Sequence, residues 1–416
     1  MARKRSVSPT KAGPQATSGA QALALDANPA WLNAIRKNLV SWYQNHQRDL
    51  PWRADHDPYR ILVSEMMLVQ TTVAAVIPYF ARFMARFPTV QDLASAPAAD
   101  VLKAWEGLGY YRRARLLHAA AQAVVERHGG QFPRSRAELE ALPGIGRYIA
   151  GAVASFAFDL PEAILEANTQ RLLARLIAWP GELGKTPTQK RLWSVAEALV
   201  PDKQPGDFNQ ALMDLGATIC LPRNPLCLLC PLAEQCEARQ QGLQQTLPLK
   251  AARQAPLVSR EVGVLAVRQN QLLLARRSPG QLWEEFWEIP TMHESGADPA
   301  GRVRLDGSEG DLIQAVRLAT GLTITPGNAL REFKYSVTRH AVTLQVVSGA
   351  VVKGVVEPGP GYAELRWVNL DDVVTFTLSA VNRQVLAWLQ KDEAWRNLPP
   401  GEEPQARPKS RKKTSS

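Results

Sequence analysis

The sequence has 416 residues, enough for two or three domains of ordinary size. It holds no run of about 18 apolar residues, and its first thirty residues lack an apolar segment followed by a cleavage site, so neither membrane insertion nor export is expected. Net charge is +10, but residues 1–27 carry four Lys/Arg against one Asp and residues 395–416 six against two, so charge permits a nucleic-acid partner without specifying one.

In chain order, residues 1–29 read as a basic, solvated tail. From Ala30 to about Arg239 the apolar residues recur at helical spacing, with Pro and Gly as frequent punctuation and no period-2 run, which predicts an all-helical domain over 30–239. Within it, LPGIGRY (Leu142–Tyr148) separates helical patterns at Arg136–Ala141 and Tyr148–Phe158. Residues 240–258, rich in Gln and Pro, form an expected interdomain linker. Strands at Val262–Val267, Leu272–Ala275, Val342–Val352 and Glu364–Val368, with helices at Leu312–Thr320 and Leu378–Leu389, predict an α+β domain over 259–392. A second basic tail spans 393–416.

Three features carry chemistry. All four cysteines, Cys220, Cys227, Cys230 and Cys236, fall in one short segment spaced C-x6-C-x2-C-x5-C. Such tiny loops do little to restrict an unfolded chain, so disulfides are disfavoured and a metal site is preferred. Four thiolates can hold a 4Fe-4S cluster or a tetrahedral zinc. One central C-x2-C pair flanked by single cysteines differs from two separated zinc knuckles, and the spacing is similar to that of the endonuclease III superfamily, so the cluster is preferred. In LPGIGRY, Gly144 and Gly146 permit a tight hairpin whose following helix aims its first amides outward, where a DNA phosphate can bind. With the cysteine array, this reads as a helix-hairpin-helix element at about 136–158. Glu65 shares the apolar helix face of Ile61, Leu62, Leu68 and Val69. A carboxylate there either pairs structurally or is kept protonated by desolvation as a general acid.

Over about Ala30 to Leu389 the chain resembles the MutY-type adenine DNA glycosylases, carried by LPWR (Leu50–Arg53), SEMMLVQT (Ser64–Thr71), IPYFARFMARFPTV (Ile77–Val90), GLGYYRRAR (Gly107–Arg115) and the hairpin. The resemblance implies a multidomain fold, a helix-hairpin-helix glycosylase core with an iron-sulfur loop at 220–236 and a Nudix-like α+β domain. It implies that Glu65 protonates an extrahelical adenine at N7, that Gln70 wedges beside the lesion and that Tyr110 holds the orphaned base. Tyr148 stands where the endonuclease III branch has a lysine that attacks the sugar, which favours a monofunctional enzyme over a glycosylase/lyase acting on oxidised pyrimidines. The family's Asp-Gly-Asn is here Glu166-Ala167-Asn168. Glu166 then supplies the charge that stabilises the sugar cation, or it only begins a helix whose cap is Asn168 or Thr169.

The segment Leu272–Thr291 resembles the opening of the family's Nudix-fold appendage. Aligned on Gly321, Ala315, Leu318 and Ala319 occupy the positions where a working Nudix hydrolase has metal-binding glutamates, which argues against pyrophosphate hydrolysis. The family's Phe-Ser-His lesion loop is replaced by Val337, Thr338 and Arg339, of which Thr338 retains a hydroxyl able to bond oxidised guanine. The expected partner is double-stranded DNA with adenine opposite 8-oxoguanine or guanine, and the expected protein a cytoplasmic, nucleoid-associated monomer. A lesion-binding protein without catalysis is the alternative of a different class.

Overall fold

The computed structural model describes residues 28–249, 254–268, 271–298, 300–305 and 309–392; the tails expected at either end lie, but for residues 28 and 29, outside the described residues. The chain divides into two compact units, one of residues 1–95 and 116–252, the other of residues 96–115 and 253–416. Residues 96–115 thus leave the range expected for the helical domain and pack with the α+β part.

The helices are α1 (Pro29–His46), α2 (Pro58–Leu68), α3 (Val73–Arg86), α4 (Val90–Ser95), α5 (Ala98–Trp105), α6 (Arg112–His128), α7 (Arg136–Glu140), α8 (Arg147–Phe158), α9 (Ala167–Leu176), α10 (Thr186–Leu199), α11 (Pro205–Thr218) and α12 (Glu237–Gln240). Among the described residues of 30–239 no strand occurs, as the helical periodicity predicts. In the first unit, Ile35 and Leu39 of α1 pack with Leu172, Leu173 and Leu176 of α9, Leu192 and Val195 of α10, and Phe208 and Leu215 of α11. These i, i+3, i+4 and i+7 stripes bury one face of each helix. Beside this core, α2 packs on α8, an apolar pairing in which Ile61, Leu62, Val63, Ile149, Ala150 and Val153 are all buried.

In the second unit the strands are β1 (Leu257–Arg268), β2 (Gln271–Arg277), β3 (Trp287–Glu288), β4 (Thr291–Gly296), β5 (Leu322–Val337), β6 (His340–Gly354) and β7 (Tyr362–Asn369), with helices α13 (Glu309–Thr320) and α14 (Ala380–Lys391). The described residues form one mixed sheet, β3-β2-β1-β6-β5, in which β4 also pairs with β1 and β7 with β2. β1 runs parallel to β6 and antiparallel to β2 and β4. Leu265, Val267, Leu272, Leu274, Leu344 and Val346 face one side, where α14 supplies Val385 and Leu386. Val262, Val264, Ala266, Leu273 and Val347 face the other, where α13 supplies Ala315, Val316 and Ala319. Helices on both faces make β1 a continuous apolar run rather than an alternating one. The long β5 has no counterpart among the predicted strands, because register shifts around Pro326 and Ala329 break its alternation.

Candidate active site

A cleft of about 690 Å³ opens in the first unit, lined by Glu65, Gln70, Tyr148, Glu166 and Asn168 among others. Its floor is α2. Asp57 caps this helix by accepting the amide of Tyr59 at 2.8 Å, and Pro58 takes the first helical position, where no amide is needed. Two turns later Glu65 lies on the buried face, 3 % exposed. Burial pushes its carboxyl up to about 7; the Tyr148 hydroxyl and the Arg53 charge oppose that rise, and nearby Glu166 adds to it. The Tyr148 hydroxyl donates to Glu65 Oε2, and burial with the neighbouring Glu65 and Glu166 carboxylates raises the phenol well above its ordinary range.

The hairpin that delivers Tyr148 is built as the motif predicts. Leu142 and Ile145 are buried anchors. Gly144 is left-handed, φ +74°, and a Cβ there would stand 2.5 Å from the Leu116 side chain, so both its conformation and its close approach require glycine. Gly146 is the N-cap of α8 with no side-chain cap, which leaves the first amides of that helix for an external acceptor.

Glu166 occupies the N-cap of α9, the place the helix-start alternative gave to Asn168 or Thr169. Its Oε2 accepts the Asn168 amide at 2.7 Å and its Oε1 the Thr169 amide at 2.8 Å, while Thr169 Oγ1 accepts the Glu166 amide at 2.7 Å, a reciprocal capping box. Burial raises the Glu166 carboxyl against the pull of these two amides and of Arg171. Capping and cleft-lining coexist: the helix amides hold the carboxylate where it faces the cavity. Gly216 of α11 makes room for this turn, since a Cβ there would lie 2.8 Å from the Asn168 Cβ.

Two arginines not singled out in the sequence, Arg48 and Arg53, line the cleft, and a third such residue, Asp214, holds them from behind. Asp214, fully buried on α11, accepts from Arg48 Nε at 2.8 Å and from both terminal nitrogens of Arg53, at 2.8 and 3.0 Å. Burial pushes the Asp214 carboxyl up, but the bonds and charge of Arg53 and then Arg48 outweigh it and hold it below its ordinary value. Arg53 was visible only as part of LPWR. For Asp214 the available signal was a carboxylate beside the apolar stripe of Phe208, Leu212 and Leu215.

Gln70 follows the end of α2, exposed and left-handed at φ +58°, at the cleft margin. Tyr110 and Thr338 belong to the second unit. Tyr110 is 55 % exposed at φ +49°. Thr338 sits exposed in the two-residue turn between β5 and β6, where Val337 pairs with His340, and its hydroxyl donates to Val337 O at 2.7 Å.

All four cysteines are free thiols and line one small pocket of about 30 Å³, with Arg175 and Arg239 at its wall. Arg175 Nη1 stands 3.3 Å from Cys220 Sγ. Burial, helped by the nearby cysteines and opposed by backbone amides, pushes Cys236 up to about 11 and Cys230 up to about 12. The Cys230 and Cys236 thiols so placed ionise readily only beside a group that brings positive charge. The donor set fits an iron-sulfur cluster, one thiolate per iron.

Residues 63–198 match the model of the HhH-GPD superfamily base excision DNA repair protein, and residues 261–388 that of the NUDIX domain. An adenine DNA glycosylase of Homo sapiens is 34% identical over 417 residues, covering 86% of this chain and 74% of that relative. The chain belongs to the adenine DNA glycosylases. The adenine DNA glycosylase of Mus musculus is 44% identical over 264 residues, 61% of this chain, and the match spans half of the mouse protein's length. A solved structure described as a thermostable thymine-DNA glycosylase is 31% identical and covers 51% of this chain and 98% of its own, with a TM-score of 0.46. Among the described residues of this chain, no helix is long and apolar enough to cross a membrane.

Proposed function

We propose that this adenine DNA glycosylase hydrolyses the N-glycosidic bond of adenine facing 8-oxoguanine or guanine in double-stranded DNA and leaves the strand uncut. The observation that carries this reading is the buried Glu65, held by the Tyr148 hydroxyl in a cleft that Glu166 also lines. The reacting atoms of a paired adenine are hidden in the duplex stack, so the base must leave it to react. Gln70, at the cleft margin, fills the space the base vacates, and the first amides of α8 after Gly146, which no side chain caps, take a backbone phosphate.

Inside the cleft Glu65 transfers its proton to adenine N7, which makes the base a neutral leaving group as the bond to C1′ breaks. The sugar carries the resulting positive charge, and the Glu166 carboxylate, fixed by two helix amides, faces it. Water adds to C1′ and its proton returns to a cleft carboxylate. Tyr148 has no amine to form a Schiff base, which supports a monofunctional reaction. Its hydroxyl orients the acid. Tyr110 and Thr338 are proposed to read the opposite base, with the Thr338 hydroxyl as a hydrogen-bond partner for 8-oxoguanine. Cys220, Cys227, Cys230 and Cys236 would hold a 4Fe-4S cluster, which serves folding and DNA positioning. The protein would act as a cytoplasmic, nucleoid-associated monomer.

Single-turnover excision from a duplex with adenine opposite 8-oxoguanine tests the reading. Glu65→Gln should bind this DNA and lose at least about a hundredfold in rate, the usual scale for a general acid. A wild-type rate in that variant would place the acid elsewhere, and no excision by the wild-type protein would favour a lesion-binding role.

A further inference from the structure

The loop that presents Tyr110 is tied to residues of the Nudix-like part of the same unit. α5 ends at Trp105, and the loop Glu106–Tyr111 contains three left-handed residues, Gly107 at φ +97°, Gly109 at +76° and Tyr110 at +49°. For a bulky side chain such as Tyr110 this conformation costs energy and persists only where the surroundings enforce it. They do so here from within the loop and from outside it. Trp105 Nε1 and Arg113 Nη2 both donate to Gly109 O at 3.1 Å, and the Gly107 amide donates to the Tyr111 hydroxyl at 2.9 Å.

Further contacts come from residues beyond 253. The Tyr111 ring meets Phe286 edge-on, with centroids 4.3 Å apart. The nearly buried Glu106 carboxylate accepts the Leu378 amide at 3.0 Å, pairs with Lys103 at 2.8 Å and binds Arg383. Lys103 in turn donates to Val374 O at 2.7 Å and Phe376 O at 3.0 Å. Arg115, just past the loop, pairs with Glu284 at 3.0 Å. A carboxylate buried among three donors, two of them from the Nudix-like part, has no cheap way to let go.

We infer that the Nudix-like part sets the placement of Tyr110 through this latch, and that Glu106, Tyr111 and Phe286 are positioning residues for reading the opposite base. The inference rests on the proposed role of Tyr110. Opposite-base preference is then not divided between two independent readers, because whatever displaces the strands and loops around Phe286 and Leu378 also displaces Tyr110.

The test uses the full chain with Phe286→Ala and Tyr111→Phe, the latter keeping the ring while removing the acceptor for the Gly107 amide. Amide hydrogen exchange over 106–111 reads the latch directly. Single-turnover rates opposite 8-oxoguanine and opposite guanine, with and without Tyr110→Ala, read its consequence. Exchange should quicken, and the preference for 8-oxoguanine should fall about two- to tenfold, the worth of an aromatic pair. The rate opposite guanine should hold, and no further loss should occur once Tyr110 is alanine. Unchanged exchange in both variants would overturn the latch, and an equal loss of preference in the Tyr110→Ala background would overturn its action through Tyr110. If Tyr110→Ala alone leaves the preference whole while exchange still quickens, the reader role of Tyr110 has failed and the functional half of the inference falls with it.

Discussion

Glu65 shows how one buried group can serve as acid and as a stability liability. Desolvation, helped by Glu166 and opposed by Tyr148 and Arg53, raises its carboxyl from the ordinary 4.5 to about 7. The protonated form is the acid, so the excision rate constant should be highest below about pH 7 and decline as pH rises through it, which a single-turnover pH profile will record. Between 4.5 and about 7 the folded chain keeps a proton that the unfolded chain has released, so stability is lost as pH rises through that window. Glu65→Gln removes the titrating group. The variant should lose less stability than the wild type between pH 5 and pH 8, and parallel thermal-unfolding slopes for the two proteins would contradict the buried, proton-holding carboxyl.

At the scale of elements, two helix starts shape the cleft by different means. α8 begins on glycines. Gly144→Ala forces a Cβ into the left-handed region and against Leu116, and should cost more than about 1 kcal/mol in chemical unfolding, whereas Gly146→Ala, with open space around its Cβ and φ −94°, should leave stability nearly unchanged. α9 begins on a charged side chain. Thr169→Val removes half of the capping box and should cost about 1 kcal/mol while Glu166 keeps its two amides and excision continues. Glu166→Gln should instead slow the chemical step by about a hundredfold with DNA affinity little changed. A stable and fully active Glu166→Gln variant would confine this residue to starting the helix.

For the whole molecule, the cysteine pocket and the division into units matter most. Protein purified without oxygen should be yellow-brown with iron and sulfide near four each, and stoichiometric zinc in a colourless preparation would refute the cluster. Because the buried Cys230 and Cys236 thiols resist ionising without a cationic group beside them, extracting the iron should lower the melting temperature as well as bleach the colour. The second unit adds a different lesson. Ala315 and Ala319, at positions where a working Nudix hydrolase has glutamates, are buried against the sheet in an apolar layer. The scaffold uses that helix face for packing.

The cysteine spacing, the glycine hairpin and the carboxylate on an apolar helix face were legible in the linear chain, because each is a local pattern: ligands a few residues apart, a turn within seven residues, a period of 3.6. Glu65 could be singled out in that way, whereas Tyr148 and Glu166 stood out only through the family resemblance. What the chain could not disclose was their convergence, since the Glu65–Tyr148 bond joins residues 83 positions apart and exists only once α2 packs on α8. The same holds for Asp214, whose two arginines stand more than 160 positions away. β5 escaped notice because its bulges erase the period on which strand prediction depends. Residues 96–115 are helical by local pattern in either unit, and only tertiary packing, through Glu106 and Tyr111, decided that they fold with the Nudix-like part: secondary structure follows from neighbours along the chain, whereas unit membership follows from partners hundreds of residues away.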